Sequence, residues 1–519
     1  MKLTYIHKDQ LIQIDGDNGE INSLKRWLNR YEDGYMFDPR FKNKLWNGKS
    51  TKFDSKNNTI PMGLWKEAYQ CCYENNYTFN FTNKHEFPLN REFKKQKFYD
   101  WAKDFFSDYK FEPRPYQLEC ARLILKNKYG NIAVATGGGK TFIYAIVFFY
   151  LMHIYKNKKF LLIVPSKTLV TQFYDDILDY AHGKFEFNIK EVFDITEKPR
   201  TVDDNKDIDL YIGTFQSLTD DEKYPRDWFK QFFMITADEG HKSTSKSYRK
   251  LLKRTINYAD YRWGMSGSFP DDDSYEITEI LAKTGPILKR VTARYLMDLG
   301  YLTEVKIKGV LIKHNDYEFR KTIERVASRD KKACYDLEVA KIQESEERLN
   351  IIHTIVKKCK SNSLVLFHNT EYGEKLFEYL KEKNPNKDFH FISGKINNKK
   401  RNIIKEKMKE TDRVQILVAS FGTLSTGVSI SSITNVIFTQ SFKKEQVIIQ
   451  SIGRALRLHI GKNKAYIFDI VDIFNEDEYT IRKKSKFKNI LYNHWSKRKN
   501  IYLQEDYPFD SLEININID

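Results

Sequence analysis

The sequence predicts an α/β protein: two tandem domains built on parallel sheets, a small α+β domain before them and a short helical extension after them. Three observations carry this reading. Short, wholly apolar runs recur with helical patterns between them. The 519-residue chain is too long for one core. Its texture also changes near residue 108 and again near residue 475.

The first series of runs is IAVAT (132–136), FLLIVP (160–165), LYIGT (210–214), FFMITADE (232–239) and RWGMSGS (262–268). The second is LVLFH (364–368), FHFIS (389–393), VQILVAS (414–420), NVIFTQ (435–440) and AYIFDI (465–470). Strands covered on both faces by helices need apolar side chains on both sides, which these runs supply. Between the two series, roughly 300–360, the chain is charged and lacks Gly and Pro from Glu324 to Lys360, so helices are expected there. The domains predicted are 1–108, 109–297, 298–474 and 475–519. The first is rich in aromatic and basic residues, and the last is basic before an acidic end.

Composition narrows the partners. Eighty-seven Lys and Arg against 70 Asp and Glu leave a net charge of +17, and such a surplus attracts polyanions through counterion release. An A/T-rich genome also enriches lysine, so charge alone leaves a nucleic-acid partner open. The five cysteines include the adjacent Cys71 and Cys72 but no CxxC spacing that would hold zinc. A reducing cytoplasm fits them, the host's if the source is a virus. The longest apolar stretch, Phe142 to Ile154, is shorter than a bilayer span and reads as a buried helix. No membrane partner is expected.

The segment NIAVATGGGKTF (131–142) reads as strand, glycine turn and helix, the arrangement that points backbone N–H groups and a helix N-terminus at phosphates. Thr136, Gly137, Gly138 and Gly139 would form the cradle, Lys140 would reach the β- and γ-phosphates, and Thr141 would hold Mg²⁺. The strict GxxxxGK[ST] pattern fails at its first position, Val134, so an ordinary glycine turn stays open from this segment alone. Downstream, FFMITADEGH (232–241) is an apolar strand ending in two carboxylates. There Asp238 would coordinate Mg²⁺ through water and Glu239 would orient and deprotonate the attacking water.

With these residues on the page, DEGH resembles the DExH motif of superfamily 2 helicases, and further motifs follow in that family's order. Tyr116–Gln117 after Arg114 resembles the segment that reads adenine. VPSKTLVTQ (164–172), with Pro165, Ser166 and Lys167, and GTFQSL (213–218), with Thr214 and Gln216, resemble the two segments that grip the nucleic-acid backbone. SGS (266–268) resembles the motif that links nucleotide state to the second domain. STGVSI (425–430), with Thr426 and Gly427, resembles the motif that touches both ATP and the strand, and QSIGRALR (450–457) matches Q-x-x-G-R-x-x-R through Gln450, Arg454 and Arg457. The two arginines lie three apart on one helical face, where they can meet charge building on the γ-phosphate. The resemblance implies two RecA-like domains, ATP and Mg²⁺ as cofactors, and closure of the domains around the nucleotide with a strand bound across both.

DGYMFDPRFKNKLWNGKSTKFD (33–54) and IPMGL (60–64) are similar to the N-terminal region of the bacteriophage UvsW-like helicases, and this likeness runs along nearly the whole chain. It implies ATP-dependent unwinding and annealing, branch migration and regression of forks, on single-stranded, forked or branched DNA, by a monomer. Without the family, Tyr35, Phe37, Phe41 and Trp46 interleave with Arg40, Lys42, Lys44 and Lys49. The aromatics read as the core of a small domain and Arg40, Lys44 and Lys49 as contacts to DNA. The basic run 482–500 reads equally as a DNA grip or a packed helix, with Trp495 in packing. An RNA- or R-loop-directed helicase is the alternative enzyme, because motor motifs contact phosphates and discriminate sugars poorly. A DNA-binding scaffold with a weak ATPase is the alternative from another class; Lys140, Asp238, Glu239, Arg454 and Arg457 argue against it. No PD…ExK cluster supports a restriction subunit.

Overall fold

The structure is a computed structural model. It describes residues 1–7, 10–32, 34–88, 91–193, 207–238, 251, 259–267, 269–270, 274–394, 403–404, 406–408, 413–421, 432–442, 448, 451–453, 462–474 and 487–516. Two compact units emerge, the first spanning Met1–Ala135 and Gly139–Val291, the second Thr136–Gly138 and Thr292–Asp519.

The first unit opens with a small sheet. Strands β1 (Lys2–Ile6) and β2 (Leu11–Asp15) pair antiparallel; β3 (Arg30–Tyr31) and β4 (Lys49–Ser50) make a separate two-stranded ribbon. Adding β5 (Thr59–Pro61) and β6 (Asn80–Phe81) gives the order β5-β2-β1-β6. Alternation in β1 and β2 turns Leu3, Tyr5, Ile12 and Ile14 to one face. The helices Asn18–Trp27 and Trp65–Glu74 cover that face with Leu24, Ala68, Cys71 and Cys72. Asp17 caps the first helix through a capping box with Glu20, which satisfies orphan amides at its start.

This core does not close on itself. It runs on into Tyr129, Phe269, Ile277, Ile280 and Leu281 of the neighbouring α/β domain. The approach is close at Gly63, where an added Cβ would overlap the Leu281 carbonyl and lie 3.1 Å from the Gly285 amide. Because both neighbours are backbone, neither yields cheaply. Gly63→Ala is therefore expected to cost about 1–3 kcal/mol through overpacking, read as a lowered melting temperature. Gly394→Ala, where a Cβ meets nothing within 4 Å, serves as the neutral control; equal melting of the two variants would refute the tight docking.

The α/β domain carries seven strands: β7 (Tyr129–Val134), β8 (Lys159–Val164), β9 (Ile189–Val192), β10 (Leu210–Thr214), β11 (Phe232–Asp238), β12 (Tyr261–Ser266) and β13 (Ile287–Val291). They lie in the order β13-β7-β12-β11-β8-β10-β9, parallel throughout. Every residue of β7 and β12 is buried, as the apolar runs predicted. The helix Lys140–Ile154 is buried from Phe142 to Leu151. It fits between the sheet and the helix Lys95–Phe105, whose Phe98 and Trp101 rings each meet Tyr150 with centroids 5.0 Å apart. No helix among the described residues is long and apolar enough to cross a membrane.

The second unit repeats the plan with β14 (Glu304–His314), β15 (Ser363–Phe367), β16 (Asp388–Ile392), β17 (Gln415–Ser420), β18 (Asn435–Phe438), β19 (Lys464–Ile473) and β20 (Phe509–Ile516). Their order is β16-β17-β15-β18-β19-β14-β20, again parallel throughout. The helices expected between the sheets are present at Tyr317–Ala327, Lys331–Glu344 and Glu346–Lys358. One correction applies to the start of that region, where β14 stands as a strand in place of a helix. Its first half alternates exposed charge with buried Val305 and Ile307, a half-covered strand pattern that charge obscured.

The basic run near the C-terminus forms the helix Ile490–Gln504, packed on β19, and the chain then adds β20 beside β14. Trp495 is buried against Leu311, Val471 and Ile473, so packing holds for it. Two ionic networks are sealed inside this unit. Arg348 grips Asp472 with two bonds of 2.8 and 3.0 Å while His314 meets the same carboxylate at 3.0 Å. Burial pushes the Asp472 carboxyl up, but Arg348 and His314 outweigh it and hold the group down at about 2.

Candidate nucleotide site and nucleic-acid interface

In the first unit all seven strands run the same way, so their carboxyl ends share one edge, the edge where open parallel sheets bind ligands. Register fixes what stands there. Asp238 is level with Met265, Ser266 with Ala133, and Thr214 with Val164. The chain leaves β7 at Val134 and enters the helix at Lys140, which puts Lys140 and Thr141 in that helix's first turn. Asp238 is two strands from β7, roughly 10 Å at the usual strand spacing, and is 5% exposed.

Gly139 caps the helix in the left-handed region, at φ 76°, and Gly137 sits at φ 87°. These conformations are where glycine is preferred. A Cβ on Gly139 would collide with the Gln117 amide nitrogen, so Gln117 rests directly on the loop. Its Oε1 accepts from the Arg114 amide at 2.9 Å, fixing the side chain at the start of the helix Pro115–Asn127. Lys140 Nζ lies 3.4 Å from the Val134 carbonyl, folded back over the turn. The structure thus joins Arg114, Gln117 and Gly139 within one unit, with Lys140 and Thr141 next along the helix that Gly139 caps.

The backbone-grip segments follow β8 and β10, beyond β11 on the same edge. Ser166 caps the helix Lys167–Ala181 by accepting from the Leu169 amide at 3.4 Å. Lys167 Nζ stands over the Phe193 ring at 5.8 Å, and Pro165 is half-buried. Thr214 is buried, with its hydroxyl bonded to the Ser217 hydroxyl at 2.9 Å and amide at 3.2 Å. Gln216 is the exposed member of that turn. The edge is therefore divided: the candidate nucleotide residues stand at β7 and β11, the candidate strand grips at β8 and β10.

In the N-terminal ribbon, Arg40 and Lys44 are exposed and Lys49 is half-buried over the Tyr31 ring at 4.5 Å. Tyr35, Phe41 and Trp46 are half-buried outside the main core, Tyr35 against Phe41 and Trp46 under the Arg40 guanidinium, so the expectation of core aromatics is met only locally. The Phe37 side chain lies outside the described residues, as do Glu239, His241, Thr426, Gly427, Gln450, Arg454 and Arg457. Sequence reasoning missed the residues that fasten this domain to the helix Tyr275–Thr284 of the α/β domain. Lys52 pairs with Glu279, whose carboxyl is raised by burial but lowered further by Lys52 and Lys283, and Tyr31 bridges to Ser274. These pairs are more than 200 residues apart in sequence, and no local pattern marks them.

Family models match the three parts of the chain. Residues 3–82 match DNA helicase UvsW, N-terminal; 110–270 match Type III restriction enzyme, res subunit; and 347–459 match the helicase conserved C-terminal domain. The ATP-dependent DNA helicase uvsW of Enterobacteria phage T4 is 28% identical over 522 residues, covering 99% of each chain. Putative helicase 22 of Sulfolobus islandicus filamentous virus is 24% identical, covering 83% of this chain and 75% of its own. The DNA-bound Type ISP restriction-modification enzyme LlaBIII shares the fold at a TM-score of 0.55 and 18% identity, over 79% of this chain and 32% of that one.

Two parallel sheets, with a restriction res-subunit match in the first unit and a helicase C-terminal match in the second, define the class: an ATP-dependent helicase of the superfamily 2 fold, an enzyme that acts on nucleic acid. Within that class, its N-terminal domain and its full length are similar to the T4 UvsW helicase.

Proposed function

We propose that the chain spends ATP, held with Mg²⁺, on remodelling branched DNA: unwinding, annealing, branch migration and fork regression. Lys140 and the 136–139 turn hold the phosphates, Gln117 with Arg114 reads the adenine edge, and Glu239 prepares the attacking water. Thr141 and Asp238 offer a hydroxyl and a carboxylate, the hard oxygen donors Mg²⁺ takes alongside phosphates and water. Among the described residues no group of three or more His, Cys, Asp or Glu could hold a metal by itself. By their motifs, Gln450, Arg454 and Arg457 are assigned to phosphate charge, and Pro165, Ser166, Lys167, Thr214, Gln216, Thr426 and Gly427 to contact with the strand.

The observation that carries the branched-DNA reading is the N-terminal domain. It is fused to the first motor sheet through a shared core, yet no ATPase motif lies within it. It presents Arg40, Lys44 and Lys49 on an aromatic ribbon, and the T4 relative that shares it is named a DNA helicase. The test compares ATPase rates with single-stranded, duplex, forked and four-way-junction DNA and with RNA. Highest stimulation by forks and junctions supports the reading; highest stimulation by RNA replaces it with the RNA-directed alternative.

The same assay checks the arginines. Arg454→Ala and Arg457→Ala are each expected to lower kcat by on the order of 10² or more with little change in nucleotide affinity, because their charge meets phosphate mainly in the closed state. Collapse of affinity with normal saturated turnover would remove them from that role.

A further inference from the structure

Residues Arg30–Ser50 form a lobe whose interior is held rigid. β3 and β4 close its base, pairing Arg30 with Ser50 and Tyr31 with Lys49. Tyr31 stacks on Tyr35 at 4.5 Å and Phe41 meets Tyr35 edge-on at 4.9 Å. The Arg40 guanidinium lies 4.7 Å from the Trp46 ring and grips both Asp38 oxygens, at 3.1 and 2.9 Å. Trp46 Nε1 donates to the Lys49 carbonyl at 2.7 Å, and a Cβ on Gly48 would overlap the Tyr35 ring.

On this fixed frame two large apolar side chains point outward, Leu45 at 79% exposure and Met36 at 57%. A single exposed leucine is ordinary. Here both line one open cavity of about 870 Å³, floored by Phe41 and Trp46, with Lys42 and Lys44 also lining it. Backbone at Lys44 takes the left-handed conformation, φ 57°, one residue before Leu45. The lobe is also anchored to the helix Tyr275–Thr284 of the α/β domain through Tyr31–Ser274 and, just past it, Lys52–Glu279. An apolar tip, flanking cations, an aromatic-floored cavity large enough for a nucleobase and a stiff mount on the motor are what strand separation at a branch requires. Leu and Met side chains inserted between base steps unstack them, and aromatic floors receive the bases released.

We propose that Leu45 and Met36 enter the base step at a DNA branch point and that the cavity beneath them takes the displaced base, while Lys42 and Lys44 neutralise the flanking phosphates. This rests on the branched-DNA reading above. The motor supplies movement along the strand, and the lobe supplies the wedge against which the duplex opens.

The test uses the full chain and forks carrying 2-aminopurine at the branch-point pair or ten pairs inside the duplex. The unmodified protein should brighten the branch-point probe alone. Leu45→Ala with Met36→Ala should lose most of that signal and slow fork unwinding by on the order of ten-fold or more, as loss of an inserted side chain predicts, while single-stranded-DNA-stimulated ATPase stays unchanged. Leu45→Phe, which keeps an apolar bulk, should retain the signal. Both side chains are exposed, so folding does not depend on them. Unwinding and probe signal equal to the unmodified protein would overturn the wedge, and so would equal loss of the single-stranded-DNA ATPase, which would assign the residues to general integrity. Failure of the unmodified protein to prefer forks over single strands would instead overturn the branched-DNA reading.

Discussion

Lys140→Ala should lower ATP turnover on single-stranded DNA by on the order of 10³, since removing one preorganised charge aimed at developing phosphate charge costs about 10²–10³ in kcat and here ground-state phosphate contacts go as well. The fold should be untouched. Lys140 is half-buried in the first turn of a helix whose core contacts begin at Phe142, and alanine is the best helix former. The variant should melt with the unmodified protein while failing in a coupled ATPase assay. Glu239→Gln should behave differently: it keeps phosphate binding and removes only the group that prepares water, so it should hold nucleotide and nucleic acid together without turnover. Turnover of either variant within ten-fold of the unmodified rate would sink the assignment of the phosphate loop or of the base.

The contrast between these two residues shows where sequence reasoning reaches. Motifs that sit at the end of a buried strand were legible because chemistry and burial are both local: VATGGGKT follows β7, and ITAD ends β11. Strands buried on both faces were legible for the same reason. The strands that escaped, β9, β13, β14 and β20, lie at or next to the edges of their sheets. There one face or one side meets water, charges such as those of ILKRV and EVKIKGV are tolerated and even useful against edge pairing, and the apolar run dissolves into a pattern that resembles a charged helix.

Long-range polar pairing was not legible at all. Arg348, on the helix Glu346–Lys358, and Asp472 of β19 are 124 positions apart, and His314 joins them from β14. Asn131, in the middle of β7, bonds the Gly285 carbonyl at 2.5 Å and the Thr284 hydroxyl at 2.9 Å, tying the strand that leads into the phosphate loop to the turn before β13. Each of these residues looks like a surface polar group in sequence. Only the fold reveals that burial without such partners would be costly.

The basic C-terminal run is the sharpest case, and it yields the second large expected effect. RKKSKFKNILYNHWSKRKN reads equally as a DNA grip or a packed helix, and nothing in it singles out Arg498, which is fully buried. Its guanidinium forks onto Asp469 of β19 with two bonds of 2.9 Å and donates to the Ser441 hydroxyl and the Phe442 carbonyl at 3.2 and 2.9 Å. Tyr502 donates to the same carboxylate at 2.8 Å. Burial pulls the Arg498 guanidinium down, but Asp469 outweighs it and holds the group more firmly charged than usual. Removing one partner of such a pair strands the other charge in the interior, so Arg498→Ala should destabilise the second unit by about 3–5 kcal/mol. Replacing both partners with apolar residues, Arg498→Leu with Asp469→Leu, should recover much of that loss, because the desolvation of two charges is then avoided. Hydrogen exchange across the Ile490–Gln504 helix and β20 in the full chain reads both outcomes: fast exchange in the single variant, restored protection in the double. Protection unchanged in Arg498→Ala would mean that the helix is held by Trp495 and its apolar neighbours alone, and the ionic lock would have to be abandoned as what fixes this extension to the second motor sheet.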